Sequence, residues 1–228
     1  VPSDTQTYKE SAWATISQTV GGQGGGGTDF TACLEGSDYY LVVMDETTST
    51  KLSGSIVADY RPDDTTKYLY VWEDTYLGGT ATGPNFFGNL DGYTCMTVVG
   101  TWSGAGFFTS IVEDVNKLRN ISNKPEDYTL HLGLKSQDNS VLTVTMYSYD
   151  GGAEPTATIG DSANPSGCDF SYPRDGEWHE IEIPMTFFAN KGWAITQDQT
   201  EGQNVIAVSN GTYGTLNLDA CFFYKKAN

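Results

Sequence analysis

Tryptophan and tyrosine residues lie beside amides, carboxylates and glycines in three parts of this sequence. The run from Trp72 to Tyr76 precedes a Gly-Pro-Asn-Phe-Phe-Gly loop, Trp102 is set among small residues, and Trp193 follows Asn-Lys-Gly. Aromatic rings cover the C–H faces of sugars, while amides and carboxylates satisfy their hydroxyls. The alternative for each tryptophan is packing in the core. The predicted carbohydrate-binding residues are four aromatic and three polar ones: Trp72, Tyr76, Trp102, Trp193, Asp74, Asn85 and Lys135.

No catalytic residue is predicted. Glycoside hydrolysis needs two carboxylates about 5–10 Å apart across a cleft. The pairs Glu73/Asp74 and Glu113/Asp114 are adjacent in sequence, so the two members of a pair in a strand point to opposite faces. The two histidines, His131 and His179, are not accompanied by a G-x-S-x-G motif. A carboxylate pair assembled by the fold, in a glycoside hydrolase or lyase, stays open as an alternative.

The elements that must position these residues are β-strands. Apolar and polar residues alternate with period 2 in many short segments, separated by turns such as Arg-Pro-Asp-Asp and Ser-Asn-Gly. The predicted strands are Tyr39–Asp45, Ser55–Tyr60, Lys67–Glu73, Tyr93–Val99, Gly106–Ser110, Tyr128–Ser136, Val141–Tyr149, Trp178–Pro184, Val205–Ser209 and Leu216–Tyr224. So many strands with few helices predict an all-β fold, an antiparallel β-sandwich resembling a jelly roll.

One short connecting helix is predicted near residues 111–121. Apolar residues recur there at helical spacing, Ser110 and Glu113 fit a capping box, and Pro125 ends the pattern. Alternation also assigns faces. Tyr68, Tyr70 and Trp72 are predicted to share one face of their strand, and the hydroxyl-bearing residues Thr143, Thr145, Tyr147 and Tyr149 one face of theirs.

Composition limits the partners. The 12 basic and 29 acidic residues give a formal net charge of −17, which repels phosphate backbones and anionic lipids, so nucleic acid is excluded as a partner. No apolar run is long enough to span a bilayer.

The first 30 residues are polar and glycine-rich, and residues 31–228 are predicted to form one domain. The cysteines (Cys33, Cys95, Cys168 and Cys221) allow three pairings or buried thiols.

Several motifs resemble known carbohydrate-active proteins. The segments around Trp72, Asn85 and Trp102 resemble surface lipoproteins of gut Bacteroidetes that are assigned as glycan-binding proteins or glycoside hydrolases. Asp-Gly-Glu-Trp178-His-Glu-Ile-Glu-Ile-Pro resembles a strand of jelly-roll carbohydrate-binding modules, and Leu-Asn-Leu-Asp219-Ala-Cys-Phe-Phe-Tyr resembles their last strand. The resemblance covers roughly residues 65–228.

The resemblance implies non-catalytic binding of a polysaccharide or oligosaccharide by a secreted or cell-surface protein. It also implies a structural Ca²⁺ held in part by Asp219, since Ca²⁺ prefers oxygen ligands. The alternative for Asp219 is hydrogen bonding to neighbouring backbone amides. Two alternatives to non-catalytic binding stay open: the glycoside hydrolase or lyase, and a structural or adhesion β-sandwich protein.

Overall fold

The computed structural model describes residues 66–72, 94–98, 103–149, 152–177, 179–210 and 214–225. The strands are β1 Lys67–Trp72, β2 Thr94–Val98, β3 Ser103–Thr109, β4 Tyr128–Lys135, β5 Leu142–Met146, β6 Thr156–Asp161, β7 Phe170–Tyr172, β8 His179–Pro184, β9 Gln203–Asn210 and β10 Gly214–Lys225. The helices are α1 Val112–Asn123 and α2 Met185–Ala189, with a 3-10 turn at Pro125–Asp127.

The strands form two sheets. A six-stranded sheet has the order β1-β3-β9-β5-β6-β7, and a four-stranded sheet has the order β2-β10-β4-β8. Every pairing is antiparallel except that of β6 with β7, which is parallel. The predicted all-β sandwich is therefore confirmed. The predicted arrangement of residues 31–228 as one domain stays a prediction, since residues 31–65 lie outside the described part of the chain.

The core lies between the sheets because one face of each strand is apolar. In β5, Leu142, Val144 and Met146 are buried, whereas Thr143 and Thr145 between them are half-buried. This is the pattern of a strand with one face on the core and one face toward solvent. Alternation therefore assigns the outward face of β5 to its threonines.

Strand β4 departs from that pattern because it is buried on both faces. Its leucines lie in the core, and His131 on the other face is only 1% exposed. The His131 ring stacks on Phe222 with centroids 4.5 Å apart, and its Nε2 lies 3.1 Å from an oxygen of Glu180. His131 is therefore a packed residue.

Each predicted strand that falls within the described residues is present, with ends shifted by up to three residues. The strands predicted at Tyr39–Asp45 and Ser55–Tyr60 lie outside the described residues. The prediction missed β6 and β7. β7 has three residues, too few to show a period, and β6 contains Gly160. A Cβ at Gly160 would lie 2.7 Å from the Cys168 sulfur, so glycine is needed for this close approach.

Helix α1 confirms the predicted connector, but the predicted capping box is wrong. The N-cap position is Ile111, with no side-chain capping bond from it, and the Ser110 hydroxyl donates instead to the Thr66 carbonyl. The Ile111 N–H donates to Thr109 Oγ1 at 3.1 Å. Thr109, fully buried at the end of β3, thus supplies the hydroxyl that Ser110 was expected to supply.

Replacing Thr109 with Val is expected to lower the free energy of unfolding by about 1–2 kcal/mol, because it leaves the Ile111 N–H without its acceptor while keeping the side-chain shape. Ser110→Ala, the matched control at an exposed site, is expected to cost less than about 0.5 kcal/mol. Urea unfolding of both variants measures the difference. If the two variants lose equal free energy of unfolding, or if Ser110→Ala loses more, the capping box predicted at Ser110 would be supported.

Candidate functional site

The outward face of the six-stranded sheet combines aromatic positions, small residues and hydroxyls. Register places Trp72 opposite Gly104, Gly104 opposite Ser209, Ser209 opposite Thr143, and Thr143 opposite Thr158. Directly opposed residues in paired strands share a face. One row across five strands therefore begins at a tryptophan position, crosses a glycine and ends in three hydroxyl residues.

A second row runs beside the first. It consists of Tyr70 on β1, Gly106 on β3, Ala207 on β9, Thr145 on β5 and Thr156 on β6. Thr156 is exposed, and Thr145 is half-buried. We call the five residues Thr143, Thr145, Thr156, Thr158 and Ser209 the hydroxyl face.

Small residues separate the hydroxyl face from β1. Gly104 and Gly106 of β3 are buried, and Ala207 of β9 is only 4% exposed. These three positions therefore carry nothing larger than a methyl group between the aromatic positions of β1 and the hydroxyl face.

Tyr147 and Glu154 lie at the end of the hydroxyl face beyond Thr145. The Met146 N–H donates to the Pro155 carbonyl at 3.1 Å, which extends the β5–β6 register and brings Tyr147 opposite Glu154. Burial, followed by the negative charge of Glu154, raises the pKa of the half-buried Tyr147 phenol. The phenol therefore stays protonated at neutral pH and keeps its O–H donor.

Asp169 and Lys191 bound the hydroxyl face at the outer edge of β6. Asp169 Oδ2 accepts the Thr158 N–H and the Thr158 hydroxyl, both at 2.9 Å. The backbone bond from Thr158 is the main reason that the pKa of Asp169 is lowered. The Lys191 ammonium donates to the Thr156 carbonyl at 2.9 Å and lies 3.7 Å from the Asp169 carboxylate. These side chains satisfy edge groups of β6 and leave the edge charged.

Trp193 does not belong to this face. It is 2% exposed within the core, and its Nε1–H donates to the Tyr147 carbonyl at 2.9 Å. A side chain so deeply buried offers no ring face to a ligand, so the predicted ligand contact by Trp193 is wrong. Tyr149 is buried as well, and its hydroxyl donates to the Asn204 carbonyl. The sequence suggested a loop around Trp193, but it could not show that α2 and this segment close over the core.

The structure does not bring all predicted site residues together. Lys135 is half-buried at the end of β4 in the four-stranded sheet, whereas Trp72 ends β1 in the six-stranded sheet. Tyr76, Trp102, Asp74 and Asn85 lie outside the described residues. Of the predicted aromatic site residues that the structure describes, Trp72 is the one that register places in a row with the hydroxyl face.

A second polar cluster joins the β4–β5 turn to the segment before β8. The Arg174 guanidinium donates to Ser136 Oγ at 3.2 Å and to the Ile159 carbonyl at 3.0 Å, and it lies 4.2 Å from the centre of the Tyr172 ring. Burial raises the pKa of Tyr172 to about 12. His179 Nε2 lies 2.9 Å from an oxygen of Asp175. These bonds connect neighbouring turns, which is a structural role.

Asp219 was predicted to bind a structural Ca²⁺. Register places it opposite Gly133 on β4, immediately before an irregularity in the β10–β4 pairing. Among the described residues, no group of three or more His, Cys, Asp or Glu side chains could hold a metal ion. The calcium site stays a prediction. In the same part of the chain, no helix has the length and apolar character needed to cross a membrane.

Comparison with known proteins gives weak structural likenesses. No family model and no curated protein matches the chain. A family 30 carbohydrate-binding module from a cellulosomal cellulase of Clostridium thermocellum has a TM-score of 0.40 at 14% identity, over 73% of this chain and 96% of that one. A CBM4 structure has a TM-score of 0.37 at 12% identity, over 81% and 94%. A CBM61 module in complex with β-1,4-galactotriose has a TM-score of 0.34 at 8% identity, over 72% of this chain and 91% of that one. Likenesses of this size carry no argument about the ligand of this chain.

Proposed function

We propose that this protein binds a carbohydrate chain without cleaving it, and that the chain lies on the hydroxyl face beside Tyr70 and Trp72. The observation that carries the proposal is the pair of cross-strand rows. They place two aromatic positions, two glycines, one alanine and the five residues of the hydroxyl face on one surface.

The chemistry of that surface matches what a sugar presents. Threonine and serine hydroxyls both donate and accept, as sugar hydroxyls do, so Thr143, Thr145, Thr156 and Ser209 suit either kind of group on a sugar. The Thr158 hydroxyl is already bonded to Asp169 as donor and acceptor. Aromatic rings beside them cover the C–H face of the ring. The glycines of β3 allow a ligand to approach the sheet more closely than larger residues would.

The charge of the chain supports a sugar over other polymers. A net charge of −17 repels nucleic acid and anionic membranes. Glu154 and Asp169 at the borders of the hydroxyl face add carboxylates that accept hydrogen bonds from hydroxyls. We also propose, from the resemblance of the sequence motifs, that the protein acts at the cell surface or outside the cell.

A screen of soluble polysaccharides tests the proposal. Affinity electrophoresis of the whole chain through gels containing one polysaccharide each should show retardation by at least one of them. Migration in that gel should return to normal when the same oligosaccharide is added in excess. Unchanged migration in a broad panel, confirmed by calorimetry at millimolar oligosaccharide, would contradict carbohydrate binding.

A further inference from the structure

We infer that Tyr147 and Glu154 form a subsite at the end of the hydroxyl face that accepts an uncharged sugar and discriminates against sugars carrying a carboxylate. The inference rests on the proposed function and adds to it the class of ligand and a further contact residue. Glu154 was not among the residues predicted from sequence, and Tyr147 was predicted only to share a face with neighbouring hydroxyls.

Tyr147 is held in a fixed position. Its carbonyl accepts the Trp193 indole N–H at 2.9 Å, and its N–H donates to the Val205 carbonyl at 3.4 Å. The ring packs partly against the core and is half-buried, so part of it remains open to solvent. A held and partly open aromatic ring binds a ligand with little loss of side-chain entropy.

Glu154 supplies the charge that discriminates. Its side chain is exposed, and its charge acts on the phenol of Tyr147. Within the part of the chain that the structure describes, no lysine or arginine lies within ion-pair distance of Glu154. Asp169, at the other border, has Lys191 within 3.7 Å. Among the described residues Glu154 therefore has no ion-pair partner, whereas the Lys191 ammonium is bound to the Thr156 carbonyl two residues along the chain.

The position of the subsite requires an extended ligand. β1 and β5 are separated by β3 and β9, which is three strand spacings or about 14 Å. Tyr147 lies beyond Thr145, two rows along the sheet from the row that contains Trp72, so one ligand that reaches both positions must be a chain of sugars. A carboxylate on the sugar at Tyr147 would face Glu154 at short range, where like charges repel.

The test uses each polysaccharide that binds in the screen and the same polymer with its primary alcohols oxidised to carboxylates. At low ionic strength the protein should bind the neutral polymer at least about tenfold more tightly than the oxidised polymer. Added salt should reduce this difference in affinity. Glu154→Gln should raise the affinity for the oxidised polymer relative to that for the neutral polymer by about threefold to tenfold, because the carboxylate that repels the oxidised sugar is gone. Glu177→Gln, the matched control at an exposed carboxylate before β8, should change neither.

The outcomes separate the two levels of the proposal. If no polysaccharide of the panel binds, carbohydrate binding itself is contradicted, and the subsite with it. If only acidic polysaccharides bind, carbohydrate binding stands and the subsite is overturned. If a neutral polymer binds but its oxidised form binds equally well, or if Glu154→Gln behaves like Glu177→Gln, carbohydrate binding stands and the subsite is overturned.

Discussion

Replacing Trp193 with Ala should lower the free energy of unfolding by about 3–5 kcal/mol, because it empties the volume of the largest fully buried side chain among the described residues. The loss includes the indole N–H bond to the Tyr147 carbonyl. For a chain of this size it corresponds to a fall in melting temperature of about 6–20 °C. Differential scanning calorimetry measures it.

A conservative variant keeps this prediction testable if Trp193→Ala does not fold. Trp193→Phe retains an aromatic ring but loses the indole donor and some volume, so it should lose about 1–3 kcal/mol. Its affinity for a bound glycan should change less than that of the Trp72→Ala variant. If both variants keep the stability of the wild type and lose glycan binding, Trp193 would be a ligand-binding residue.

Replacing Trp72 with Ala should weaken glycan binding by about fivefold to 150-fold, which corresponds to about 1–3 kcal/mol by analogy with bases stacked on aromatic side chains. The physical reason is the loss of the ring that covers the C–H face of a sugar beside the hydroxyl face. Calorimetric titration with the polysaccharide that binds most tightly in the screen measures the change.

The two tryptophans should differ in stability as well as in binding. An aromatic residue on the outward face contributes little to the core, so Trp72→Ala should change the free energy of unfolding by no more than about 0.5 kcal/mol. Trp72→Phe serves as its control and should retain most of the affinity. A large loss of stability with unchanged binding would make Trp72 a packing residue.

The fold could be predicted because its signals are local. In β5 the alternation of Leu142, Val144 and Met146 with threonines sets both the strand and its faces. The capping box failed because Thr109 and Ser110 both carry a hydroxyl near the start of α1, and sequence does not show which one the backbone turns inward. The burial of Trp193 depends on contacts between segments distant in sequence, which no local pattern contains.

The candidate site was predicted in parts. Its aromatic and hydroxyl faces follow from alternation in β1 and β5, but sequence could not show that they belong to the same sheet. The register through β3 and β9 joins them, and it also gives Gly104, Gly106 and Ala207 a role between them. Lys135 was included because of its type alone, and its strand belongs to the other sheet.

The most direct test of carbohydrate binding on the hydroxyl face compares two threonine-to-arginine variants. Thr145 lies within the second row, and Thr200 is an exposed threonine in the loop before β9. Calorimetric titration with the bound polysaccharide should show that Thr145→Arg loses at least tenfold in affinity, because the long side chain occupies the hydroxyl face. Thr200→Arg should bind like the wild type, and both variants should melt cooperatively. Equal affinity in the two variants would contradict binding at this face.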